Sequence, residues 1–69
     1  MLYKRIRDLR DDEDLSQKQI AEILNMHTTT YARYETGERE IPFRIAILLA
    51  KYYKVSLDYI AGLTDKKKE

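Results

Sequence analysis

The chain has 69 residues, 13 of them basic and 12 acidic, carries a net charge of +1 at pH 7 and contains no cysteine. A chain of this length forms one domain with a small core, and without cysteine it cannot hold a disulfide or a cysteine-based metal site. No apolar run approaches the roughly 20 residues that a membrane span needs, so we expect a cytoplasmic protein without a membrane partner.

The charges are distributed unevenly along the chain. Residues 1–10 carry four basic side chains and one acidic side chain, whereas residues 11–14 are all acidic. We expect this acidic run to be a solvated helix end that faces away from any phosphate backbone. The small net charge does not by itself indicate a nucleic-acid-binding protein.

Helical periodicity dominates the sequence, and no segment alternates with the period of two that a strand requires. We therefore predict an all-α fold, a compact five-helix bundle, formed by a domain of residues 1–65. A charged tail of residues 66–69 is expected to fray.

The first predicted helix runs from about Leu2 to Asp12. Its apolar stripe repeats at helical spacing and consists of Leu2, Ile6 and Leu9. The basic side chains that lie largely off this stripe, in water, are Lys4, Arg5 and Arg7.

The second predicted helix has the clearest start. Ser16 is the N-cap, and Gln19, three residues later, completes a capping box. The hydrophobic residues Leu15 and Ile20 occupy the positions of a hydrophobic staple. Asn25 ends the helix, because asparagine tolerates the left-handed conformation of a helix C-terminus. The buried face is expected to contain Ile20, Ala21 and Leu24.

The third predicted helix begins near His27 and ends at Glu35 or Thr36. Tyr31 and Tyr34 are three residues apart and are expected to face the core. The polar side chains of the opposite face are Thr28, Thr29 and Arg33. A tyrosine hydroxyl in the core is expected to reach the surface or a partner group.

Pro42 is predicted to open the fourth helix from its first position, and the helix runs to about Tyr53. Its core stripe is expected to be Ala46, Leu49, Ala50 and Tyr53, flanked by Ile45 and Tyr52. The apolar residues that point elsewhere are Phe43, Ile47 and Leu48, and their surface is a candidate for contact with a second subunit.

The fifth predicted helix begins with Ser56 as its N-cap and ends with Gly62 as its C-terminal cap. Its apolar face is expected to contain Tyr59, Ile60 and Leu63.

Two stretches, SQKQIAEILNM at residues 16–26 and TYARYETG at residues 30–37, resemble the helix-turn-helix of Cro and lambda-type phage repressors. This family is also called the xenobiotic-response-element-like regulators. Residues 41–42, 49–50 and 55–60 resemble its fourth and fifth helices, so the similarity covers roughly residues 2–63, with the helix-turn-helix at residues 17–36. The resemblance implies a five-helix bundle that binds operator DNA as a dimer.

Several residues match functional positions of that family. The positions that usually face the major groove are Thr28, Thr29 and Arg33. Those that usually meet backbone phosphate are Gln17, Thr36, Arg39 and Arg44. Arg10 and Glu35 match a pair that forms a salt bridge between the first and third helices, and Arg10 is a further candidate for a phosphate contact.

The sequence also departs from the family. Asn25 stands where the turn glycine is usual, and Glu38 and Glu40 occupy a loop where basic residues are common. Thr28 replaces a longer amide side chain, so a two-pronged adenine contact is not expected from that position.

The functional prediction is a sequence-specific double-stranded DNA-binding transcriptional regulator, a repressor, that acts as a homodimer on a pseudo-palindromic operator. Arg33 reads guanine, contacts phosphate, or pairs with Glu22 or Glu38 in the free protein. The alternative function is a protein-interaction module, or an antitoxin-like partner, that uses Phe43, Ile47 and Leu48. No constellation of catalytic residues or cofactor-binding motif is present, so we predict neither an enzyme nor a cofactor. A nucleoid-associated location follows from DNA binding.

Overall fold

The computed structural model describes residues 4–67, which form five α-helices. They are α1 (Lys4–Asp12), α2 (Gln17–Ile23), α3 (Thr28–Thr36), α4 (Phe43–Tyr53) and α5 (Leu57–Ala61). None of the described residues lies in a strand, so the predicted all-α, five-helix fold is confirmed. Leu2, which was predicted to begin the stripe of α1, lies outside the described residues. No helix of residues 4–67 is long and apolar enough to cross a membrane.

Local capping chemistry fixes the start of α2 as predicted. The Ser16 hydroxyl accepts a hydrogen bond from the Gln19 N–H at 3.0 Å, and the Gln19 side-chain oxygen accepts one from the Ser16 N–H at 2.8 Å. These two bonds satisfy N–H groups that have no partner inside the helix. Ser56 caps α5 with a single bond, in which its hydroxyl accepts from the Tyr59 N–H at 3.0 Å.

Pro42 is the N-cap of α4, so the prediction that it occupies the first helical position is wrong by one residue. Its ψ of 146° is extended rather than helical. Its carbonyl nevertheless accepts the first hydrogen bond of the helix, from the Ala46 N–H at 3.0 Å. Proline fits either position because neither requires its missing N–H.

Left-handed residues end four of the helices, and Gly37, with a φ of 84°, is the one that ends α3. Asn25 has a φ of 59°, which confirms its predicted conformation after α2, and Gly62 has a φ of 81° after α5. Lys54, with a φ of 58°, ends α4. After α2 the chain closes with a hydrogen bond from the Met26 N–H to the Ala21 carbonyl at 2.9 Å. This closure produces the sharp reversal between α2 and α3.

We expect Lys54→Gly to raise the free energy of unfolding by about 0.5–1 kcal/mol, because a side chain at positive φ is strained and glycine is not. Urea denaturation followed by circular dichroism measures the change. Lys51→Gly is the control, since it removes a second exposed lysine inside α4 and should destabilise the protein by about 1 kcal/mol. Equal destabilisation by both substitutions would contradict the proposed strain at Lys54.

The core lies where α3 meets α1 and α2 and where α5 packs on α1 and α4. Most of the predicted core residues are buried, namely Ile6, Leu9, Ile20, Ala21, Leu24, Tyr31, Tyr34, Leu49, Tyr53 and Ile60. Two predictions are wrong. Ile45 is a core residue with 2% exposure rather than a flanking one, and Leu63 is 77% exposed. Leu63 follows left-handed Gly62, so it leaves the apolar face that it would occupy in a longer α5.

Arg5 contradicts the expectation that it lies in water. Its Nη1 donates hydrogen bonds to the carbonyls of Tyr59, at 2.9 Å, and Thr64. Its Nη2 donates to Asp65 at 2.6 Å, and the guanidinium lies 4.3 Å from the centre of the Tyr59 ring. Arg5 therefore joins α1 to α5 and to the segment that follows it.

The same segment is also held at Lys67, whose carbonyl accepts a hydrogen bond from the Ser56 N–H at 2.7 Å. The predicted fraying of residues 66–69 stays a prediction. Lys68 and Glu69 lie outside the described residues.

Candidate nucleic-acid interface

The two faces of α3 differ sharply in burial. Tyr31, Tyr34 and Glu35 are buried against the rest of the bundle. The opposite side carries four exposed side chains, Thr28, Thr29, Arg33 and Thr36. Helical spacing produces this division, and the buried tyrosines fix the orientation in which the polar face projects into solvent.

A small network surrounds Arg33. Its carbonyl accepts hydrogen bonds from the Thr36 hydroxyl at 3.1 Å and from the Arg39 N–H at 3.2 Å. Its side chain is 49% exposed, and Nε lies 3.7 Å from Oε2 of Glu38. Of the alternatives predicted for the free protein, pairing with Glu38 is the one observed.

Arg39 and Arg44 are exposed, and within residues 4–67 neither forms an ion pair. Both therefore keep their charge available on the surface. Their predicted role, contact with backbone phosphate, stays a prediction.

The expected pair between Arg10 and Glu35 joins α1 to α3. Nε of Arg10 lies 2.7 Å from Oε2 of Glu35, and Nη2 donates to Oε1 at 3.1 Å. Nη1 donates to the Leu15 carbonyl at 2.8 Å. The side chains are only 12% and 5% exposed, so the charges are largely removed from water. Because all three nitrogens bond within the protein, the geometry favours a structural role for Arg10 over its candidate phosphate contact.

Gln17 completes this cluster from the first position of α2. Its Nε2 donates a hydrogen bond to Oε1 of Glu35 at 3.1 Å. The Glu35 carboxylate on α3 therefore accepts hydrogen bonds from side chains of both α1 and α2. The arrangement braces α3, while the predicted phosphate contact of Gln17 stays untested.

The cluster shifts the protonation equilibria of its members. Burial acts to raise the pKa of Glu35, but Arg10, the nearby Tyr31 hydroxyl and Gln17 outweigh it and hold that pKa below its ordinary value. The hydrogen bond to Glu35 in turn raises the pKa of Arg10. Both groups are therefore charged at neutral pH.

We expect acid to weaken the fold through Glu35. A lowered folded-state pKa contributes stability above the unfolded-state value, near 4.5, and this contribution disappears as the pH falls through the folded-state pKa. Urea denaturation of the wild type and of Glu35→Gln, at pH 7 and at pH 3, measures the contribution of Glu35 to the free energy of unfolding. The difference in stability between the two proteins should shrink at pH 3, and a constant difference would refute the linkage.

Two tyrosine hydroxyls in the core have no hydrogen-bond partner among the described residues, those of Tyr31 and Tyr53. The expectation that the core hydroxyls reach the surface or a partner group is wrong for Tyr53, whereas the Tyr31 hydroxyl faces the Glu35 carboxylate closely enough to lower the pKa of that group. Burial raises the pKa of each phenol above its ordinary value. Their role is packing, and they offer no surface for base stacking.

The five helices, with α2 and α3 joined by a tight turn and a polar face exposed on α3, define a helix-turn-helix domain. A family model described as helix-turn-helix matches residues 6–60. The chain belongs to this family, which confirms the resemblance to Cro and lambda-type regulators. Within residues 4–67 no cluster of metal-binding side chains is present.

Curated relatives carry regulatory names. The chain is 38% identical over 65 residues to the uncharacterized HTH-type transcriptional regulator YobD of Bacillus subtilis (strain 168), covering 94% of the chain and 58% of that protein. It is 35% identical over 57 residues to the cryptic phage CTXphi transcriptional repressor RstR of Vibrio cholerae, covering 83% of the chain and 51% of that protein. A match to the control protein C.SmaI of Serratia marcescens is also 35% identical over 57 residues, covering 83% and 68%. The chain thus spans little more than half the length of the first two.

Proposed function

We propose that this protein is a sequence-specific double-stranded DNA-binding transcriptional regulator, acting as a repressor. The observation that carries the proposal is the exposed polar face of α3, backed by the buried Tyr31 and Tyr34. A helix with this division presents side chains to base edges in the major groove while its other face stays in the protein core.

In this proposal Thr28, Thr29 and Arg33 face the bases. The threonines offer methyl groups to thymine and hydroxyls to base or phosphate, and Arg33 offers a guanidinium fork to guanine. The residues proposed to contact backbone phosphate are Gln17, Thr36, Arg39 and Arg44. Phosphate contacts set the register of the protein on DNA and carry no sequence information directly.

The proposal includes a homodimer. One short helix reads too few base pairs to select a site among the competing sequences of a genome, so specificity requires two reading helices. Two symmetry-related copies of α3 would enter successive major grooves about 34–36 Å apart on a pseudo-palindromic operator. Association with the nucleoid follows from such binding.

Selection of bound sequences from a random DNA pool tests the proposal. We expect enrichment of one motif with two inverted halves whose centres are about 10 base pairs apart. Affinity for that motif should fall steeply as the salt concentration rises, because protein contacts to phosphate release condensed counterions. A pool that shows no enriched motif would refute sequence-specific regulation by this chain.

A second candidate function, a protein-interaction module or antitoxin-like partner, is favoured by exposed apolar side chains on α4. Phe43 is 72% and Leu48 is 39% exposed, and Ile47 is half-buried beside them. Binding through such a surface should respond little to salt. Salt-insensitive binding to a protein, together with no enriched DNA motif, would favour this second function.

A further inference from the structure

The loop after α3 folds back onto the side chain proposed to read bases. Gly37 has a φ of 84°, which reverses the chain directly after Thr36. The Thr36 hydroxyl then accepts a hydrogen bond from the Glu38 N–H at 3.4 Å while it donates to the Arg33 carbonyl at 3.1 Å. This short network fixes the start of the Glu38 side chain relative to Arg33.

The ion pair between these residues uses one edge of the guanidinium. Oε2 of Glu38 lies 3.7 Å from Nε of Arg33. Among the described residues, neither Nη1 nor Nη2 of Arg33 makes a hydrogen bond, so the fork is free to bind. At this distance the contact is an ion pair and not a hydrogen bond, and it favours orientations of Arg33 in which the fork stays open to the two acceptors of guanine.

We propose that Glu38 is a positioning residue. Its carboxylate orients Arg33 through Nε and thereby increases the preference of Arg33 for guanine over the other bases. This inference rests on the proposed function, because it assigns a role to Glu38 only if Arg33 reads a base. The carboxylate has a second effect, which is to repel phosphate. It therefore lowers the affinity for DNA of every sequence, while it increases the preference for the motif that contains the guanine.

Glu40 provides a matched control for the charge. It lies in the same loop, is exposed, and forms no ion pair within residues 4–67. Glu38→Gln and Glu40→Gln remove one negative charge each, so both should strengthen binding to an unrelated duplex to a similar extent. Only Glu38→Gln removes the carboxylate that pairs with Arg33.

The experiment measures fluorescence anisotropy with the motif enriched from the random pool and with a scrambled duplex of equal length. Glu38→Gln should lower the ratio of the two affinities roughly 1.4- to fivefold, the range that an exposed ion pair allows. Glu40→Gln should leave the ratio unchanged. In an Arg33→Ala background, Glu38→Gln should no longer affect the ratio, which separates positioning from a general effect of the loop.

Each remaining outcome is decisive. If Glu38→Gln leaves the ratio at the value of Glu40→Gln, or raises it, the positioning role is wrong and the proposed function stands. If the wild type itself does not distinguish the enriched motif from the scrambled duplex, the proposed function fails and the role of Glu38 fails with it.

Discussion

Replacing Glu35 with leucine should lower the free energy of unfolding by about 3–5 kcal/mol, because it leaves Arg10 buried without its counter-charge. The guanidinium cannot lose its proton at accessible pH, so it cannot escape this penalty by becoming neutral. Domain stability is on the order of 0.05–0.15 kcal/mol per residue, so a chain this short has little to spare. Glu35→Leu should therefore be largely unfolded at 37 °C, as measured by circular dichroism and urea titration.

The control is the double variant Arg10→Met/Glu35→Leu. It removes both charges and fills their volume with apolar atoms, so its stability should return to within about 1 kcal/mol of the wild type. Recovery in the double variant would show that the unpaired charge, and not the lost contact, causes the damage. A double variant no more stable than Glu35→Leu would contradict this account.

Arg33→Ala should weaken binding to the enriched operator by about 1–3 kcal/mol, at least several-fold in affinity, and should relax the preference for guanine at one position in each half-site. The side chain is exposed, and among the described residues its one ion pair is with Glu38, so the fold should be unaffected. Fluorescence anisotropy on the operator and on single-base variants of it measures both effects.

Arg7→Ala is the matched control for Arg33→Ala. Arg7 is an exposed arginine on α1, and it lies 3.9 Å from Asp11 in an i,i+4 ion pair. Its removal changes the net charge by the same amount but should leave base preference intact. If both variants lose the same affinity and neither changes the preference, Arg33 contributes charge alone and does not read a base.

Local chemistry explains which parts of the fold were predictable from the sequence. The capping box of Ser16 involves residues three positions apart, and the left-handed Asn25 depends on its own side chain. Burial of Tyr31 and Tyr34 follows from helical spacing. Such features need no knowledge of the neighbouring helices.

The wrong predictions concern residues whose burial or contacts depend on neighbouring elements of the fold. Periodicity predicts the direction of the α4 stripe, but only the packed bundle, in which Ile45 is 2% exposed, shows that this residue belongs to the core. Leu63 continues an apolar pattern, yet the helix ends before it. The bonds of Arg5 join residues 54 to 60 positions apart, and no local pattern signals a contact over that separation.

The candidate site also combines features that the local sequence predicts with features that depend on the packed structure. The sidedness of Thr28, Thr29 and Arg33 follows from helix geometry and was predictable. The choice between Glu22 and Glu38 as the partner of Arg33 was not, because it depends on the reversal at Gly37. The second anchor of Glu35, through Gln17, also required the packed positions of two helices.

The bonds of Arg5 have a consequence for how the molecule opens. Since they tie α1 to α5 and to the residues after it, loosening either end of the chain should release the other, and amide protons of α1 and α5 should exchange with deuterated solvent at similar rates. The buried pair of Arg10 and Glu35 extends this cooperative unit to α3, because it ties α1 to that helix as well. Brief excursions that free the N-terminal helix would then disturb α3 at the same time.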